Sequence, residues 1–118
     1  MLKLPAKNSI PRSKSLKSKP VIDGLLESGE KLSGDSFLTF FSFSTEFKTA
    51  ILVGRKFGTA VERNRIKRRF KEAIRVNIEK LVKPVHIVFL PHKEIEKVSV
   101  EKLDAEISRL FDRINAKA

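Results

Sequence analysis

A chain of 118 residues with a net charge of +11 and no cysteine has room for one domain, able to bury about two-thirds of its unfolded surface. Disulfides and thiolate metal sites are excluded, no apolar run approaches the ~20 residues of a membrane span, and the N-terminus lacks the apolar core of a secretion signal. A reducing cytoplasmic setting is compatible, and so large a charge is self-repulsive without an acidic partner.

Residues 1–18 carry Lys3, Lys7, Arg12, Lys14 and Lys17 with no acid, together with Pro5, Pro11 and several Ser. This composition predicts a flexible basic arm, followed by a single folded domain over 19–118. Pro20 suits the first turn of a helix and Gly29 its end, which predicts a short helix over 19–28. It buries Ile22, Leu25 and Leu26, and Gly24 weakens it. Phe37–Phe43 alternates, with Phe37, Thr39, Phe41 and Phe43 on a core face and Leu38, Phe40, Ser42 and Ser44 on the other. Phe40 is therefore either covered by another element or available for stacking on a base. Residues 48–54 form a second strand, expected to pair with the first as a hairpin across Thr45 and Glu46.

Gly58 then makes a turn, and Thr59 with Glu62 has the Thr-x-x-Glu spacing of a capping box, so a helix starts at Thr59. At about 100° per residue, Ile66, Phe70, Ala73, Ile74 and Leu81 fall in one arc suited to packing on a sheet. Asn64, Lys67, Arg68, Lys71 and Arg75 spread over the opposite side. Arg63 projects onto the apolar side and must reach past the core or line a groove beside it. A third strand runs from Val85 to Leu90 and ends at Pro91. Ser99 caps a last helix, with Val98 and Leu103 as a hydrophobic staple and Val100, Leu103, Ile107, Leu110, Phe111 and Ile114 as its apolar stripe. Its balanced charges make it a packing element. The expected architecture is α+β, in the order α-β-β-α-β-α, with helices on a small mostly antiparallel sheet that includes a β-α-β crossover.

Charge is concentrated in the middle helix and its lead-in. Between Gly54 and Arg75 stand nine Lys or Arg and two Glu, +7 of the net +11, and residues 63–71 hold six cations with no acid. Like charges at helical spacing repel by a few tenths of a kcal/mol per pair, so a helix this cation-dense points to a polyanion, nucleic acid first. A solvated basic face is the bland alternative, but such faces normally mix their charges. Hydrolytic machinery is missing. His86 lies inside a strand and His92 follows a proline, with no carboxylate cluster nearby. No Gly-rich phosphate loop, metal-ligand spacing or nucleophile motif is present. Any reaction supported here needs active groups supplied by something else.

The run Gly54-Arg55-Lys56-Phe57-Gly58-Thr59-Ala60-Val61-Glu62-Arg63-Asn64-Arg65-Ile66-Lys67-Arg68 resembles the signature of the bacterial ribonuclease P protein component, Arg-Asn-Arg-x-Lys-Arg after a Lys-x-Gly-x-Ala-Val lead-in. The similarity extends over most of the chain, in the family's order of elements. The resemblance implies a ribonucleoprotein whose catalytic RNA subunit removes the 5′ leader of precursor tRNA by Mg²⁺-dependent hydrolysis. Magnesium then acts through the RNA, with no protein-only metal site and no catalytic side chain from the protein. It also implies a left-handed β-α-β crossover, an exception to a strong rule. Carried over by position, Arg63, Asn64, Arg65, Lys67 and Arg68 face the RNA subunit and the leader near the scissile bond, Arg55 and Lys56 form the basic pair before them, and Arg69 and Lys71 extend the RNA-binding face. Phe40 matches an aromatic of the leader cleft. Ile22 and Leu26 stand where the family usually has Phe or Tyr, so stacking there is weaker and leader contact relies more on charge and apolar packing. The partners implied are the catalytic RNA and the precursor tRNA, with no membrane and no obligate protein partner.

Two other readings stay open at this point. A ribosomal or ribosome-associated protein uses the same basic helix for ribosomal RNA. A DNA-binding regulator places residues 60–77 in a major groove, which requires a helix-turn-helix partner that the strand before Gly58 disfavours.

Overall fold

The computed structural model describes residues 14–118, in the order α1 (Lys19–Ser28), β1 (Glu30–Ser33), β2 (Phe37–Phe43), β3 (Lys48–Ile51), α2 (Ala60–Asn77), β4 (Val85–Pro91) and α3 (Val100–Asn115). Short 3-10 turns lie at Arg55–Phe57, Ile78–Lys80 and Ile95–Lys97. Residues 1–13 of the expected arm lie outside the described residues.

The strands form one sheet in spatial order β1-β2-β4-β3. β1 pairs with β2 and β2 with β4 antiparallel, whereas β3 runs parallel to β4. The α+β architecture with a mostly antiparallel sheet is therefore as expected, and β3-α2-β4 is a crossover between adjacent parallel strands. Two details differ from the expectation. The hairpin between β2 and β3 does not form, because β4 inserts between them. Val85–Pro91 is apolar on both faces, the pattern of a strand covered on both sides, and it takes the interior position. Short β3 is left at the edge, beginning beside His86 where β2 has just ended. The second difference is an additional strand. This is β1, Glu30–Ser33, whose single inward residue Leu32 gives too weak an alternation to announce a strand.

The pairing register sorts the sheet into two faces. Leu32, Thr39, Phe89 and Ile51 are neighbours in one row on one face, and Lys31, Phe40, Val88 and Ala50 in a row on the other. The first face carries the main core, closed by α2 and α3. At its centre Phe37, Phe70 and Phe89 meet with ring centroids 5.4–5.6 Å apart. The second face carries α1 and a smaller cluster of Leu16, Leu25 and Val88, with Ile22, Leu26, Phe40, Ala50, Leu52 and Leu90 packed around them. Phe43 and Val100, expected in the apolar faces, are partly or mostly exposed. Phe43 ends its strand, where Lys83 lies over its ring, and Val100 stands in the first turn of α3.

Residues 14–18, expected in the arm, continue the fold. Ser15 bridges Thr49 as a parallel neighbour of β3, Leu16 N donates to the Thr49 carbonyl at 2.8 Å, and the Leu16 side chain is buried. One buried charge was not foreseen. The Glu106 carboxylate of α3 accepts from Ser36 N at 2.9 Å and from Ser36 Oγ at 2.5 Å, and so ties α3 to the turn between β1 and β2. Arg113 reinforces the junction by donating to the Ser33 carbonyl.

Helix α2 starts as its sequence dictates. Glu62 N donates to Thr59 Oγ1 at 3.2 Å and Thr59 N to Glu62 Oε1 at 2.7 Å, the reciprocal bonds of a capping box. Gly58 precedes it at φ 121°, where an L side chain is strained and a Cβ would run into the Glu62 carboxylate.

Thr59→Ala is expected to cost about 1 kcal/mol of stability, read from urea unfolding. The Thr59 backbone N–H holds the Glu62 carboxyl below its ordinary value. That contribution is therefore complete above the ordinary carboxylate range and fades as pH falls through the lowered folded-state value. The stability gap between wild type and Glu62→Ala should narrow on acidification, and a pH-independent gap would contradict the capping role. Glu106→Ala strands the two buried donors of Ser36 and should cost roughly 1–3 kcal/mol; an unchanged unfolding midpoint would contradict the tie.

Candidate nucleic-acid interface

The interface is set by how α2 sits on the sheet. Ile66, Phe70, Ala73 and Ile74 are buried against it, as the helical spacing requires. Leu81, the last residue of the expected seam, lies beyond the helix but is also buried. With that seam fixed, the cations of α2 divide between two sides.

On the side of the β3 edge, Lys67 and Lys71 form the wall of a groove of about 350 Å³. Its floor is Ala50 and Leu52, with Ile22 of α1 and the segment Ser15-Leu16-Lys17 opposite. The structure thus brings Ile22, expected in the leader cleft, to the same groove as Lys67 and Lys71, expected on the RNA-binding face. Leu26 and Phe40 continue the apolar surface, both half-buried in the cluster around Leu25 and Val88. Phe40 lies between Lys31 and Val88 in the pairing register, with a cationic residue beside it on β1 and an apolar one on β4.

On the side of α3, Arg65, Arg68 and Arg69 line a second groove of about 450 Å³. These three residues are not equivalent. Arg69 donates to the carbonyls of Ile95 and Val98, so its guanidinium holds the loop before α3. It was expected to face RNA; in the structure its guanidinium is bonded to backbone acceptors of the chain itself, as a tether. Arg65 reaches Glu96 across 3.9 Å in an exposed ion pair, which is weak and easily exchanged. Arg68 is exposed and makes no side-chain hydrogen bond or ion pair among the described residues.

Arg55 and Lys56 sit exposed in the 3-10 turn that leads into α2, with Lys56 Nζ 5.8 Å from the centre of the Phe57 ring. Asn64 is exposed on the first turns of α2. Arg63 is half-buried, and its Nε is shut off from solvent with no hydrogen-bond partner. This matches the expectation of a cation forced along the apolar side. Arg75, further along, is held by Glu72 at 2.5 Å, and the Arg75 hydrogen bond keeps the Glu72 carboxyl below its ordinary value.

The sequence reading missed Leu16 and Lys17. The signal was faint: one large apolar residue in a Lys- and Ser-rich stretch, two residues before the N-cap of α1. No helix precedes α2 across its turn, since β3 and the Arg55–Phe57 turn occupy that position, so a helix-turn-helix is absent here. Among the described residues no group of three or more His, Cys, Asp or Glu side chains is placed to hold a metal ion. His86 Nε2 lies 3.2 Å from Ser44 Oγ, a pairing internal to the end of the sheet.

A family model described as Ribonuclease P matches residues 10–115. The ribonuclease P protein components of Phytoplasma australiense and Petrotoga mobilis are each 29% identical, the first over 103 residues (85% of this chain, 90% of the relative) and the second over 111 (89% and 94%). With that of Finegoldia magna the match is 38% identical over 55 residues and spans about half of each chain, 47% and 49%. Among solved structures, the RNase P protein from Thermotoga maritima superposes with a TM-score of 0.74 at 27% identity, covering 84% of this chain and 96% of that one. The Staphylococcus aureus RNase P protein shares the fold at 18% identity, with a TM-score of 0.73 and coverage of 86% and 94%. With a family model matching residues 10–115, two relatives matching over 85% and 89% of the chain and a shared fold, the chain belongs to the ribonuclease P protein family.

Proposed function

We propose that this chain is the protein subunit of a ribonuclease P ribonucleoprotein and holds the single-stranded 5′ leader of precursor tRNA for a catalytic RNA. The observation that carries the reading is the groove at the β3 edge, where an apolar floor meets a wall of cations only. Ile22, Ala50 and Leu52 offer base faces a dry surface, and Lys17, Lys67 and Lys71 stand within the same groove to neutralise phosphates. Phe40 and Leu26 extend the surface along the sheet for further nucleotides. A single strand suits such a site, since bases splayed out of a duplex pack on apolar and aromatic side chains while the backbone follows the charge.

The RNA subunit contacts the N-terminal end of α2 and its lead-in, through Arg55, Lys56, Arg63, Asn64, Arg65 and Arg68. Asn64 can bond a phosphate oxygen or a metal-bound water. Bond breaking and magnesium binding belong to the RNA. The side chains of this chain bind and orient, and no step runs through an ion held by the protein alone. Family membership favours this reading over the ribosomal alternative.

Adding the purified protein to a bacterial ribonuclease P RNA at low Mg²⁺ should accelerate cleavage of precursor tRNA, and no gain would contradict the proposal. Within it, Lys67→Ala and Lys71→Ala should each lower the slope of log affinity against log salt by about one ion, with the unfolding midpoint unchanged. Arg69→Ala should do the reverse, losing roughly 1–3 kcal/mol of stability and keeping the slope. The opposite pattern would exchange the assigned roles.

A further inference from the structure

The larger groove, about 450 Å³ between α2 and α3, is not used by the leader reading. Ala73 and Leu103 form its base. Val76 of α2 and Val100 of α3 line it while remaining 56% and 57% exposed, so a slot with apolar sides is open to solvent. Arg68 stands at one part of the rim with no partner among the described residues. Asp104 stands at another, half-buried, and from outside α3 only its backbone carbonyl is engaged, by Asn77 Nδ2. Its carboxylate has neither hydrogen bond nor ion pair among the described residues. Burial first, then the nearby carboxylates of Glu101 and Glu72, push the Asp104 carboxyl above its ordinary value.

An apolar slot in which one carboxylate and one guanidinium are unpaired, beside the paired Arg65, Arg69 and Glu72, is demanding. A hydrocarbon chain would cover Val76 and Val100 but leave Asp104 further desolvated and unpaired, which is costly. A bare phosphate or an acidic peptide would suit Arg68 yet meet Asp104 and Glu72 with the wrong sign. A basic peptide would meet Arg65 and Arg68. A nucleotide answers all three features, having apolar ring faces, N–H donors on its base edge and an anion at its far end. Among the bases, guanine presents N1–H and N2–H side by side, and these match the two oxygens of a carboxylate. Adenine and cytosine offer one exocyclic amine, and uracil a single imino N–H.

We propose that the α2–α3 groove binds one unpaired guanine nucleotide of an RNA strand, its ring against Val76 and Val100, its N1–H and N2–H donating to Asp104 and its phosphate on Arg68. The site rests on the reading of α2 as an RNA-facing helix, but it is separate from the cleft under α1. It gives the protein a base-specific contact in addition to a charge-driven one, since phosphate contacts position a strand and base-edge contacts select its sequence.

The test is a methyl-NMR titration of the full chain with guanosine 5′-monophosphate and, separately, with the adenosine, cytidine and uridine monophosphates. The Val76 and Val100 methyl signals should shift saturably, with guanosine bound about tenfold more tightly than uridine, as expected for a bidentate base contact. Asp104→Asn, which retains one acceptor and adds a donor, should abolish that preference; Arg68→Ala should weaken all four nucleotides alike. Equal response to the four nucleotides, shifts confined to the Ile22 and Leu26 methyls, or an undiminished guanosine preference in Asp104→Asn would each overturn the proposal. A parallel titration with a single-stranded oligonucleotide that contains unpaired guanosines separates the two readings. Silent Ile22 and Leu26 methyls with responsive Val76 and Val100 would remove the leader cleft and leave the groove standing, and the converse would remove the groove alone.

Discussion

Phe70 locks α2 to the sheet. Its ring meets Phe37 edge-on and Phe89 at a tilt, at centroid distances of 5.6 and 5.5 Å, and it is completely buried. Aromatic contacts of this kind add about 0.5–1.5 kcal/mol each to the area they bury. The energetic contribution matters less than the angle it sets. With Phe70, Ile66 and Ile74 turned into the core, Lys67 and Lys71 can only face the β3 edge, and Arg65 and Arg68 can only face α3. Rotating the helix by one residue would place cations in the core. The distribution of positive charge over the surface is therefore a consequence of apolar packing underneath it.

That packing also offsets a real cost. Six cations without an acid between residues 63 and 71 repel one another, and the helix has an unfavourable sequence for isolated stability. Its N-terminus is held by the Thr59–Glu62 capping box, and its middle by the Arg69 bonds to the loop before α3. Glu106 in turn fixes α3 to the β1–β2 turn, so the element against which α2 leans is itself tied to the sheet. The other sheet face is built more loosely. There α1 and Leu16 cover a small cluster, and Ile22, Leu26 and Phe40 remain half-exposed, a surface suited to a strand of changing sequence.

Much of this was legible from the sequence because local signals and tertiary structure agree. The capping box, the apolar seam of α2, Pro20 in the first turn of α1, the Ser99 cap and the alternation of β2 all act over a few residues and survive in the fold. Pairing of strands was less legible. A short connection between β2 and β3 favours a hairpin, and only the two-sided apolarity of Val85–Pro91 indicates that β4 claims the place between them. The role of Arg69 was hidden for a different reason. Its neighbours on the helix are indistinguishable by type, and what separates it from Arg68 is the presence of two backbone acceptors almost thirty residues later in the chain. Leu16 and Glu106 are similar cases, each defined by a partner far away in sequence, Thr49 and Ser36. Composition placed the charge in one stretch; only packing could divide it between two grooves.

The central claim is that a single strand of RNA lies across the face bearing α1, with its backbone along the lysines of α2. Photocrosslinking with a 4-thiouridine-labelled precursor tRNA leader in the assembled complex tests this most directly. Crosslinks mapping to Ile22, Leu26, Phe40 and the Lys67–Lys71 wall are the predicted result. Crosslinks confined to the outer surface of α3, with none on the sheet face under α1, would contradict it.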